Sequence, residues 1–164
     1  MSGTPELNTL QSACDALMER QQTLLLATRS EAGGADISYA PFVRDGMIFY
    51  IYVSQLAKHT HNLIAIPQAS VMLIEPEAEA KNLFARQRLT FDCSAMEIAR
   101  SDNQYHRQLD ALAAKFGSIV DVLRTLPDFR LLALTASRGL FVGGFGKAYV
   151  VDEHGLLQAS PSAN

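Results

Sequence analysis

Cysteine is scarce in this chain: Cys14 and Cys93 are the only two in 164 residues, far apart and in no paired motif. That excludes a disulfide framework and leaves two buried free thiols in a reducing compartment as the expectation. No apolar run approaches the roughly 18 residues needed to span a bilayer. The N-terminus lacks a basic region followed by an apolar core, so no secretory signal is expected. A cytoplasmic protein with no membrane partner follows. Basic residues are not in excess either: the net charge is −3, which gives no reason to expect nucleic-acid binding. There is no Gly-x-Ser-x-Gly elbow for nucleophilic catalysis. His59 and His61 are two apart and diverge on a helix, unlike the i, i+4 pair of a zinc site, so no metal site is expected.

What is present is an ordinary globular composition, 48% apolar and 19% charged. Its length suits one domain, residues 1–164, with a sizeable core. Thr4-Pro5-Glu6 is a helix start, and Leu7, Leu10, Cys14, Leu17 and Met18 at helical spacing extend that helix over about 5–21. Strands are expected at 23–29, 36–43 and 47–53, with Asp45-Gly46 as a hairpin turn. A helix at 56–66, closed by Pro67, and a strand at 69–75 come next. Residues 77–84 read as a short helix or a loop, and 86–98 as one long, bent strand. Ser101 and Gln104 fit a capping box for a helical insertion over about 101–126, broken by Gly117. The last strands are expected at 129–136 and 140–151. Gly143, Gly144 and Gly146 interrupt the latter as a bulge or close approach would. The polar tail, 158–164, reads as frayed. Many strands at hairpin spacing, with helices at the start and near the end, predict a small antiparallel barrel with peripheral helices.

The chemistry gathers at Ser54-Gln55-Leu56-Ala57-Lys58-His59, where a strand hands over to a helix. Free N–H groups and the helix dipole favour anions there. Arg86 and Arg88 alternate on the following strand and are read as facing one side. Two or three such cations with Ser54 would suffice for a phosphomonoester. The competing reading is that Lys58 and the arginines are solvated surface residues.

Four segments taken together go further. They are Ser38-Tyr39-Ala40-Pro41-Phe42, Ser54-x-Leu56-Ala57-Lys58-His59-x-x-Asn62-Leu63, Leu83-Phe84-Ala85-Arg86-x-Arg88-Leu89-Thr90 and Val142-Gly143-Gly144-Phe145-Gly146-Lys147-Ala148-Tyr149. In this order they resemble the pyridoxamine-phosphate-oxidase-like split barrels, and within them the haem-utilisation branch of HugZ/HutZ type, over about residues 10–152. The resemblance implies a mainly β fold: a six-stranded antiparallel split β-barrel of the FMN-binding type. It also implies a homodimer with two small-molecule sites at the interface. With FMN as cofactor, the protein would be a flavin-dependent oxidoreductase. Ser54, Lys58, His59 and Arg86 or Arg88 would surround the phosphate, and the chain at Ser38, Ala40 and Pro41 would line the flavin ring. Gln87 competes with its arginine neighbours for a flavin contact. In the haem branch the same interface takes haem, with Thr28 near the pocket and Asp128 supporting an axial histidine of the other subunit. That branch carries its histidine beyond the last strand, whereas residues 157–162 hold none and His154 falls in an earlier turn. By that pattern the axial ligand is expected to be missing. A third reading is a dimeric barrel that has lost its ligand.

Overall fold

The computed structural model describes residues 5–161. Helix α1 (Pro5–Arg20) precedes three antiparallel strands, β1 (Thr23–Arg29), β2 (Ala35–Asp45) and β3 (Ile48–Ser54). A short helix α2 (Lys58–Ala65) leads to β4 (Gln68–Ile74), and two 3-10 turns at Glu77–Glu79 and Leu83–Ala85 lead to β5 (Arg88–Ile98). Then come α3 (Asn103–Phe116), α4 (Ile119–Arg124), β6 (Phe129–Gly144), β7 (Lys147–Val151) and β8 (Leu157–Pro161).

The strands run in the order β3-β2-β1-β4-β5-β6-β7-β8, and β3 also pairs with β6. That last pairing closes the first six into an antiparallel barrel and removes their free edges, while β7 and β8 extend the sheet beyond it. The strands alternate as a half-buried sheet should: Leu24, Leu26 and Thr28 of β1 turn inward, and Leu25 and Ala27 turn outward. Phe42, Phe49, Phe91 and Phe141 fill the barrel, and α1 closes one end with Leu10, Cys14, Leu17 and Met18. Strand β3 is buried on both faces because α3 and α4 lie outside it. Tyr50, Tyr52, Ile98 and Leu131 meet Tyr105, Leu109, Leu112 and Val120 in a second core.

Several boundaries differ from the sequence reading. Strand β6 is continuous through Ser137-Arg138-Gly139, which reads as a break in sequence. Gly139 is there because a Cβ would lie 2.5 Å from the Phe91 ring carbons. The strand read as 140–151 is instead a hairpin, turning at Phe145-Gly146 with positive φ at Gly144 and Gly146. Gly143 is a close approach, since its Cβ would meet Leu10 at 2.8 Å. The cap of α3 is Asp102 rather than Ser101, its carboxylate accepting from the Gln104 N–H at 2.8 Å. The tail read as frayed from 158 is strand β8 through Pro161, paired with β7. Thr4, read as the cap of α1, and residues 162–164 lie outside the described residues.

Candidate ligand-binding site

Helix α2 closes the other end of the barrel, and a polar seam ties it there. Three side chains of α2 meet three inward positions of β1 and β2. Lys58 Nζ is 3.1 Å from Asp36 Oδ1, His59 Nδ1 is 2.9 Å from Ser38 Oγ, and Asn62 Nδ2 donates to Thr28 Oγ1 at 2.9 Å. The register explains the match: Thr28 pairs with Asp36 and Leu26 with Ser38, so these groups stand in adjacent rows. Thr28 and Asn62 are both buried and satisfy each other. Burial holds the His59 imidazole below its ordinary value, against the opposing pull of Asp36, and its Nε2 is buried without a partner among the described residues.

The anion corner is built differently from its reading in sequence. Ser54 ends β3, and α2 begins only at Lys58, with Ala57 as a cap that supplies no side-chain bond. The Ser54 hydroxyl accepts from the Leu56 N–H at 3.1 Å and donates to Asp128 Oδ2 at 2.7 Å. Gln55 N–H donates to the Asp128 carbonyl at 2.7 Å. The corner therefore carries a carboxylate of its own, and Ser54 and Asp128, assigned in sequence to different ligands, are in direct contact.

Arg86 and Arg88 do not share a strand face, which corrects the sequence reading. Strand β5 starts at Arg88, and Arg86 lies before it at the end of a 3-10 turn. The Arg86 Nε donates to the Glu75 carbonyl at 3.1 Å, and its Nη1 lies 3.5 Å from Glu77 Oε1, so it clamps the β4–β5 connection. Gln87 uses its backbone N–H on Glu75 Oε1 at 2.8 Å. Arg88 points outward between Ile74 and Val142, its partners across β4 and β6. It is half-buried, donates to the Arg86 carbonyl at 3.2 Å, and has no carboxylate partner among the described residues.

Arg88 stands on an extended apolar surface. Tyr39, Leu25, Met72, Thr90, Leu140 and Val150 form one row across the outside of the barrel, by the pairings of β2, β1, β4, β5, β6 and β7. Ile37 and Tyr39 are 76% and 64% exposed there. The helices α3 and α4 cover the barrel elsewhere and leave this face bare. Pro41 is exposed at its margin, while Ala40 is buried inside the barrel. The sequence reading missed this row, because strands in isolation do not reveal which outward residues align across a barrel.

A closed antiparallel barrel with a bare apolar outer face and a helix-capped end is the architecture of the pyridoxamine 5'-phosphate oxidase family. The model of that family matches residues 10–143, and this chain belongs to it. Within the family it falls in the HutZ-type branch. It is 42% identical over 139 residues, 85% of this chain and 79% of the relative, to the heme oxygenase HutZ of Vibrio cholerae serotype O1. The crystal structure of HutZ, described there as a heme storage protein, superposes with a TM-score of 0.78 at 37% identity, covering 82% of this chain and 96% of that one. Campylobacter jejuni ChuZ superposes with a TM-score of 0.84 at 27% identity, covering 94% of this chain and 63% of that one. No helix among the described residues is long and apolar enough to cross a membrane.

Proposed function

We propose that this chain binds haem at the interface of a homodimer, serves haem utilisation in the cytoplasm, and takes haem rather than FMN as its ligand. The observation that carries the reading is the pairing state of the cations named for the phosphate. Lys58 is neutralised by Asp36, Arg86 by Glu77 and the Glu75 carbonyl, and Ser54 faces the Asp128 carboxylate. These residues do not fit a phosphate dianion, which would meet the Asp128 charge beside Ser54. Of these cations Arg88 has no acid partner among the described residues, and it stands on an apolar face. A flat apolar ligand edged with single carboxylates suits that setting, and haem is such a ligand. The identity to a relative named heme oxygenase supports the same reading.

In this reading the apolar row of one subunit packs on a second copy, and the ligand sits where the two meet. Arg88 pairs with a propionate. Thr28, with Asn62, fixes the end of β1 beside α2. With haem bound, Asp128 would be the acceptor for a ligating imidazole, orienting that ring and raising its basicity. Bound haem supplies the iron for redox chemistry with dioxygen, given an external reductant. The likeness to a protein named heme oxygenase supports breakdown of haem as the activity.

Titration with haemin, followed by its Soret absorption, tests the binding. A saturable Soret shift is expected, and Arg88→Ala should weaken it about tenfold. Replacing His59, His61, His106 and His154 by alanine one at a time shows whether any of them ligates the iron, as the variant that loses the band. Adding ascorbate in air should then bleach the Soret band. A band stable to reductant and air would leave a haem-binding protein without the oxygenase activity.

A further inference from the structure

The bare outer face carries charge as well as apolar area. At the outward positions of β1, β4, β5 and β6 on that face, the charged side chains are Arg29, Arg88, Asp92 and Arg138. None of the four makes an ion pair among the described residues. Asp92 and Arg138 stand opposite each other across the β5–β6 pairing and still do not close one. The Asp92 carboxylate meets only the Ser70 hydroxyl, at 3.5 Å. Elsewhere the arginines are matched: Arg20, Arg44, Arg107, Arg124 and Arg130 each lie against a carboxylate. Glu31, in the turn after β1, lines the cleft of Gln55, His61 and Arg130 instead. A chain of net charge −3 thus keeps three arginines against one aspartate, an excess of two cations, on the face where Ile37 and Tyr39 are exposed.

Two copies that meet through this face bring like charges together. Burial of the apolar row favours the contact, and the arginines oppose it. We propose that ligand binding and assembly are coupled through this charge: without ligand the two cationic faces hold each other off, and a dicarboxylate porphyrin between them closes the dimer. This rests on the reading of haem at a homodimer interface given above. Two copies contribute two excess cations each, and two haems contribute two propionates each, so the ligand charge matches the excess that the faces bring. The coupling is reciprocal: whatever tightens the dimer tightens ligand binding by the same factor. Exposed charges are screened by salt, whereas the apolar row is not, so the repulsion has its own signature.

Analytical ultracentrifugation of the ligand-free and haemin-loaded protein tests this. Raising sodium chloride from about 10 mM to about 0.5 M should tighten the ligand-free dimer about tenfold. Haemin, or metal-free protoporphyrin IX with the same two propionates, should tighten it by at least as much at low salt and abolish the salt effect. Arg29→Gln with Arg138→Gln should give a ligand-free dimer that is already tight and indifferent to salt, which separates repulsion from general salting-out. Asp92→Asn should loosen the ligand-free dimer further. A ligand-free dimer that loosens with salt, a doubly substituted protein that keeps the wild-type salt effect, or haemin that binds by its Soret shift without changing the dimer constant would overturn the proposal and leave haem binding intact. A protein that stays monomeric while the Soret shift saturates would overturn the interface reading and this proposal together. The absence of any saturable Soret shift would overturn the haem reading itself, and the proposal with it.

Discussion

Single side chains in this protein are held by polar pairs that each leave little room for substitution. Asn62 and Thr28 are both about 6% exposed, and each is the other's partner. Asn62→Ala leaves a buried hydroxyl unpaired and should cost about 1–3 kcal/mol in chemical denaturation. His59 sets a pH dependence of known sign. Burial depresses its folded pKa below 6.5, so the unfolded chain binds the extra proton first. Its contribution to stability is whole above about pH 6.5 and is lost as the pH falls through the depressed value. Denaturation midpoints should therefore drop on mild acidification, and His59→Gln should flatten that part of the profile. The thiols behave alike for a related reason: burial pushes both Cys14 and Cys93 up to about 12. Alkylation at pH 8 should be slow in the native protein and fast once it is unfolded.

Elements were legible in the sequence wherever one local rule decided them. A compact, leucine-dense run placed β1 at 23–29, and Asp45-Gly46 marked the β2–β3 turn, where Gly46 has φ of 57°. Gly117 ended α3 with φ of 83°. What the sequence hid depended on contacts between distant segments. Gly139 fell in the gap between two expected strands, but it makes room for Phe91 on the neighbouring strand and lets β6 run unbroken. Gly139→Ala should therefore destabilise by about 1–3 kcal/mol through overpacking, read as a lower melting temperature. The candidate site shows the same limit. Ser54, Lys58 and Arg86 stood out in the sequence as polar groups, but Arg86 lies on the β4–β5 connection, away from the other two, and Asp128, Asp36 and Glu77 reach the three only through the closure of the barrel and the folding of its connections.

At the scale of the whole molecule, the barrel divides into a half covered by its own helices and a half left bare. Tyr39, Leu25, Met72 and Leu140 line the bare half, and a second copy of the chain is the proposed cover. Tyr39→Asp should shift the protein from dimer to monomer by light scattering, with the fold retained by circular dichroism, and should weaken haem binding in step. In the proposed reading, this member of the pyridoxamine 5'-phosphate oxidase family takes haem where flavin would be expected. Parallel titrations of the purified protein with haemin and with FMN test it most directly. A saturable Soret shift, with FMN fluorescence unchanged by the protein, is the predicted result. Quenching of FMN fluorescence to saturation, with haemin giving no specific band, would contradict it.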